Sequence, residues 1–297
     1  MAELKDRIYE LVIGDYNIGE GILINNLEVK FDVSKSADNT KKANSGVVEV
    51  YNLSPESLRM LESDFLEVKF SIGWRETGLQ QLLAGNVVEK STIRDEAAAV
   101  VTQFVLGEGY TSLNHAKVKT VVAPGKTIED VIEVCRSFMP GVARGGYVGT
   151  NLNNKVIYGY PMNGTPKREL DRLCNAHNLE WRVDNNVLSV SDKNGLVSKD
   201  TSLAPLISPA TGNLIGIPFH TSGEGIKLPK DKTRKMGVQF RALCDPNIIP
   251  GSLVRLESKY ITGFFRVNDA RYYGDFRGQD WYVDCFCSTA DDVELAE

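Results

Sequence analysis

The two ends of the chain carry the same succession of β-strand signals, and a stretch of different periodicity separates them. In the N-terminal copy the alternating run Phe65-Leu66-Glu67-Val68-Lys69-Phe70-Ser71-Ile72 is followed by a small break at Ala84-Gly85 and a second run from Asn86 to Ile93. A charged turn at Arg94-Asp95-Glu96 then leads into Val101-Thr102-Gln103-Phe104-Val105-Leu106. The C-terminal copy keeps this order, with Ser252 to Glu257, a break at Thr262-Gly263, a run from Phe264 to Tyr272, a turn from Gly274 to Asp280, and Trp281 to Cys287. Period-two alternation bounded by Gly and polar turns is the signature of half-buried strands. Identity between the copies is low, so the match is one of pattern and order. A chain that spells one β-rich unit twice is constrained to build two related sheets, a layout that suits a building block better than an enzyme.

Upstream of the first copy, residues 7–14 and 22–33 read as strands joined by a turn containing Asp15, Asn17 and Gly19. The polar stretch Ser34 to Ser45 has almost nothing to bury and is expected to form a mobile loop. Val47 to Tyr51 is the next strand. Ser54-Pro55-Glu56 then starts a short helix, with a capping serine, a proline suited to the first turn and an acid at the positive end of the dipole.

Between residues 116 and 192 the period changes to nearly four. Thr127 and Asp130 form a capping-box pattern ahead of the apolar stripe Ile128, Val131, Ile132, Cys135, Phe138 and Met139. A Gly-rich loop at 145–149 and a short strand near Val156-Ile157-Tyr158 are expected next. A second helix starts at Thr165-Pro166 and carries Leu170, Leu173, Cys174 and His177, and a hairpin turns at Asp184-Asn185-Asn186. The resulting expectation is an α+β, mostly β chain. A first β-barrel or sandwich domain covers 1–115, a small α+β domain 116–192, a Ser/Pro/Gly-rich connector 193–217 and a second β-barrel or sandwich domain 218–290. The acidic end, Asp291 to Glu297, is expected to fray.

With 297 residues, 34 basic and 39 acidic, the net charge of −5 supplies no overall basic field for nucleic acid or an anionic membrane. No run of apolar residues is long enough to span a membrane, so no membrane insertion is expected. The charged start, Met-Ala-Glu-Leu-Lys-Asp-Arg, does not read as a signal peptide, and a cytosol-like compartment is expected. Five cysteines, Cys135, Cys174, Cys244, Cys285 and Cys287, do not resemble a disulfide framework and are expected to be reduced and mostly buried.

Catalytic candidates are scarce. Cys174 and His177 are near in sequence, but Cys174 belongs to an apolar stripe, which favours a core role over a nucleophile. Cys285 and Cys287 share a strand face without a second pair or a histidine to complete a zinc site. His115 and His220 lie in loop-like contexts with nothing connecting them. Neither Gly-rich segment, 143–149 or 216–225, has the spacing of a phosphate loop; both read as flexible connections, and no cofactor is expected. Lys227, Lys230, Lys232, Arg234 and Lys235 concentrate positive charge before a strand. With Glu224 and Asp231 interspersed they read first as a solvated loop, and second as a surface facing a partner or a channel.

Three stretches carry a resemblance. Gly46 to Glu56, with its Asn-Leu-Ser-Pro, looks like the strand and helix start found early in phage hub and tail proteins. Cys244 to Leu256 is similar to the proline-and-glycine turn and strand of hub C-terminal domains, and Gly263-Phe264-Phe265-Arg266-Val267 to the strand that follows it. The chain therefore resembles the baseplate hub proteins of contractile-tailed bacteriophages, a group that includes the late control protein D family. The resemblance implies two tail-tube-like β-domains per subunit and a homotrimer forming a pseudo-sixfold ring. Such a ring adapts a hexameric tail tube to a trimeric central spike and lines part of the DNA-ejection channel without catalysing a reaction. It also implies a virion location in the tail baseplate after synthesis in the host cytoplasm, with baseplate wedge proteins and the C-terminus of a tape-measure protein as further partners and DNA only in transit. Two other readings stay open: a tail-associated peptidase or hydrolase using Cys174, Cys135 or His177, and a monomeric receptor- or carbohydrate-binding β-protein of the tail tip.

Overall fold

The computed structural model describes residues 6–15, 20–64, 66–94, 99–198, 200–221 and 237–290. The N-terminal lobe consists of β1 (Arg7–Asp15), β2 (Glu20–Ile24), β3 (Val29–Ser36), β4 (Ser45–Tyr51), α1 (Pro55–Met60), β5 (Glu67–Trp74), β6 (Gly78–Arg94) and β7 (Val100–Gly107). The middle unit follows with α2 (Tyr110–Asn114), β8 (Val118–Val122), α3 (Ile128–Ser137), β9 (Ala143–Val148), β10 (Tyr160–Gly164), α4 (Pro166–Ala176), β11 (Leu179–Asp184) and β12 (Val187–Asp192). The C-terminal lobe contains β13 (Leu206–Ile207), β14 (Leu214–Thr221), β15 (Gly237–Leu243), β16 (Leu253–Glu257), β17 (Thr262–Asp275) and β18 (Trp281–Thr289).

The repeated strand signals fold as matching meanders. In the N-terminal lobe the order β4-β7-β6-β5 matches β15-β18-β17-β16 in the C-terminal lobe, with β3 flanking β4 as β14 flanks β15; at the far end β1 pairs antiparallel with β5, whereas β13 pairs parallel with β16. The long strands break register at corresponding points, between Val87 and Glu89 against β7 and between Val267 and Asp269 against β18. A bulge adds a residue and sharpens the local twist, which lets one long strand serve two partners in succession.

The chain is mostly β, as expected, and that device explains why the two β-units are joined instead of closing as barrels. β16 covers only the first part of one edge of β17, Thr262 to Arg266, and β3 pairs antiparallel with the remainder, from Asp269↔Ser36 to Asp275↔Lys30. The lobes are thus joined into one mostly antiparallel sheet of 13 strands, whose hydrogen-bonded path among the described residues runs from β14 to β2 without closing into a barrel. One hydrophobic core spans both lobes. Phe31 on β3 packs edge-on against Phe70 of its own lobe and Trp281 of the other, with ring centroids 5.2 and 5.1 Å apart. Such pairs contribute about 0.5–1.5 kcal/mol each beyond the area they bury. Across the same seam Trp74 Nε1 donates to Cys244 O at 3.2 Å, and the Arg7 guanidinium donates to the carbonyls of Asp275, Gly278 and Gln279.

The middle unit has a separate apolar core built from the predicted stripes. Both halves of the Thr127–Asp130 capping box form at α3, and Thr165 caps α4 with Pro166 in the first turn. The β11–β12 hairpin turns through Asn185 and Asn186, both at positive φ, as a two-residue turn of that twist requires. Two local expectations are corrected. The Gly-rich stretch is strand β9, running parallel to β12, because a side chain at Gly145 would strike Leu188 O and Ser189 Oγ at 2.8 and 2.5 Å. The strand expected at 156–158 lies instead at β10, and Ile157 and Tyr158 sit in the exposed turn before it.

Candidate assembly interface

β11 is where the middle unit meets the sheet. Leu179, Trp181 and Val183 point into the middle core, yet the alternate residues Glu180 and Arg182 are also buried. Those polar side chains face the joint between the lobes. Lys35 Nζ, on β3, lies 2.5 Å from Asp184 Oδ1 and 3.0 Å from Glu108 Oε1. Arg266, on β17, pairs with Glu180 and also donates to Gly195 O and Asn268 Oδ1. Arg182 reaches toward Gly251, where a β-carbon would collide with its Nη1, so a glycine at φ +86° is needed to admit the guanidinium. Burial opposes the charges of Lys35, Glu108, Glu180 and Arg182. It lowers the Arg182 pKa, raises that of Glu180, and pushes Glu108 up to about 7 against the pull of Lys35. Three cations facing three carboxylates make the joint tolerable, because an unpaired buried charge would cost several kcal/mol.

The polar stretch expected to be a mobile loop belongs to this joint. β3 extends through Ser36, and Lys35, Ser36, Ala37, Asp38, Asn39 and Asn44 are all buried. Asn39 N donates to Trp181 O at 2.9 Å, and its side-chain oxygen accepts from Val183 N at 2.8 Å. Asn44 donates to Glu108 Oε2 and to Val183 O, while its own oxygen accepts from Ser36 N. These side chains act as a surrogate strand for β11, satisfying backbone groups that cannot be left bare when buried. The alternation of apolar and charged residues in Leu179-Glu180-Trp181-Arg182-Val183 reads as a half-buried strand, and the burial of its polar face is set by the lobes packed against it.

Cys135 and Cys174, the candidate nucleophiles, lie together in the apolar core of the middle unit. Cys135, Cys174, Cys244, Cys285 and Cys287 are all free and buried. Burial pushes the Cys135 thiol up to about 12 and raises Cys174 well above the ordinary thiol range, the opposite of what a nucleophile needs. His177 closes α4 through its backbone N–H. No group of His, Cys, Asp or Glu that could hold a metal occurs among the described residues, and no helix among them is long and apolar enough to cross a membrane. The basic run Lys227, Lys230, Lys232, Arg234 and Lys235 lies outside the described residues.

Exposed apolar side chains mark the surfaces left open. On the sheet they are Leu23 on β2, Ile93 near the end of β6, and Ile217 and Phe219 on the edge strand β14, each more than half exposed. On the middle unit they are Val121, Ile157 and Tyr158. An open edge with apolar side chains invites strand pairing with another chain.

No protein-family model and no curated protein matches the chain. Solved structures do resemble it. A tail protein from Neisseria meningitidis MC58 is 11% identical with a TM-score of 0.64, covering 96% of this chain and 97% of that one. The 43 kDa tail protein of prophage MuSo2 from Shewanella oneidensis is 9% identical with a TM-score of 0.62, covering 95% and 98%. The E. coli c3393 protein, described as a component of the type VI secretion system similar to the T4 bacteriophage tail proteins gp27 and gp5, is 10% identical with a TM-score of 0.60, covering 90% and 74%. From end to end, the chain shares its fold with phage tail proteins.

Proposed function

We propose that the chain is a structural hub of a phage-type tail baseplate: a homotrimer whose six lobes form a ring adapting a hexameric tube to a trimeric spike. The observation that carries this reading is the duplicated meander fused into one sheet with open edges. A subunit presenting the same lobe twice gives a three-copy ring six similar lobes, which is what a junction between sixfold and threefold partners requires. The tail-protein fold found along the whole chain supports the same role.

In this reading the ring surrounds part of the ejection channel and touches DNA only in transit. Tube, spike, wedge and tape-measure proteins are its partners, and its place is the virion tail. The middle unit, residues 116–192, projects from the ring with Val121, Ile157 and Tyr158 available to a partner. Its role is positional, and no reaction is assigned to it. Electron microscopy of the purified protein, alone and mixed with its spike and tube proteins, tests the proposal. Six-lobed rings with a central opening are expected. Isolated single chains under all these conditions, or open filaments, would refute it.

A further inference from the structure

The joint between the lobes contains a template for the contact between subunits. β17 gives the first part of one edge to β16 and the second part to β3. Its counterpart β6 gives the first part of the corresponding edge to β5, through Asn86↔Glu67, and among the described residues the edge of 89–94 away from β7 pairs with no strand. The counterpart of β3 is β14, which among the described residues has a ladder partner, β15, on one side only. Each lobe therefore repeats the two halves of the internal joint, and one half of each is unfilled.

We infer that β14 of one copy pairs antiparallel with the end of β6 of the next, with Phe219 opposite Ile93. The register follows from the two ladders. Aligning the bulges makes Ile93 equivalent to Tyr273 and Ser91 to Arg271. Aligning the flanking strands through β4 and β15 makes Phe219 equivalent to Asp32 and Thr221 to Ser34. In the internal joint Tyr273 pairs with Asp32 and Arg271 with Ser34. The same pairing between copies sets Ile93 against Phe219 and Ser91 against Thr221.

The side chains supply an independent check. Ile93 and Phe219 are 59% and 53% exposed, and the register derived from backbone pairing alone brings these two apolar residues together. An aromatic opposite a β-branched residue is a favourable cross-strand pair. The partner is a second copy of this chain, because the edge it must present is the one this chain leaves open.

This inference rests on the trimeric reading, and cysteine cross-linking separates the two. Directly opposed residues on antiparallel strands are about 5 Å apart at Cα, within disulfide range, and the native cysteines are buried. Full-length Ile93→Cys and Phe219→Cys proteins, mixed and oxidised, should give a covalent dimer that neither forms alone. The double variant should give a ladder ending at three chains. A Phe219→Asp variant should raise the trimer dissociation constant at least about tenfold, as expected for a central apolar contact. Native-like circular dichroism would show that its lobes stay folded. If trimers form but the mixed pair does not cross-link, or the double variant closes within one chain, this seam is wrong while the hub reading stands. If no trimer forms, the hub reading fails with it.

Discussion

Replacing Lys35 by Met should destabilise the protein by an amount that grows with pH, and the growth rate follows from the geometry. Lys35 is 4% exposed and sits between Glu108 and Asp184. Burial has already raised Glu108 from 4.5 to about 7. In the native protein Glu108 is protonated below that value and ionised above it, held in the charged form by Lys35. Without the ammonium the carboxyl stays protonated well past pH 7. Each pH unit above about 7 then adds about 1.4 kcal/mol that the native protein does not bear. Loss of the Asp184 contact adds about 1–3 kcal/mol at all these values. The penalty is expected near 2 kcal/mol at about pH 6 and near 5 kcal/mol at about pH 9, bracketing the usual range for removing one partner of a buried pair. Urea unfolding at a series of pH values measures it. Adding Glu108→Gln should abolish the growth and leave only the Asp184 part. A penalty independent of pH, or below about 1 kcal/mol at about pH 9, would refute the view that these charges compensate one another at the joint.

Three further outcomes are expected. Because the folded pKa of Glu108 lies above its unfolded value, its contribution is fully present below about 4.5 and is lost as pH rises through about 7; Glu108→Gln should therefore remove up to about 3 kcal/mol of pH dependence across that window, read from melting curves. Cys174→Ala should lower stability by about 1–3 kcal/mol, as a small truncation in a filled core, and a thiol reagent should label native protein only as fast as it unfolds; rapid labelling of Cys174 would contradict the core assignment. Gly73→Ala should cost about 3 kcal/mol or more, since backbone cannot move aside cheaply and the added carbon would lie 1.9 Å from Gly78 O in the β5–β6 hairpin; a stable, soluble variant would show that this hairpin is looser than described.

What could be read in the sequence was what local periodicity encodes. The repeated meander, the Thr127–Asp130 box and the Asn185-Asn186 hairpin are each decided within a few residues of chain, and each is present. The β3–β17 joint links residues more than two hundred positions apart, and nothing near Ser34 or Asp269 announces it. The stretch Ser34 to Ser45 reads as a loop for a different reason. Polar residues go to solvent by default, but here Asn39 and Asn44 are buried because they complete the hydrogen bonding of β11, a partner that only the fold supplies. Gly145 reads locally as flexibility, whereas its missing side chain makes room for the neighbouring strand. The open edges are not legible locally, because Ile93 looks like an ordinary strand residue and Phe219 lies in a Gly-rich stretch that reads as a flexible connection, whereas the structure makes it strand β14.

The trimer is the claim on which the account turns, and the mass of the full-length protein in solution measures it most directly. Sedimentation velocity across a concentration series, alone and with the cognate tube and spike proteins, should reveal a species of three 32.8 kDa chains that strengthens with concentration or partner. A single-chain mass throughout, in the presence of both partners, would contradict it.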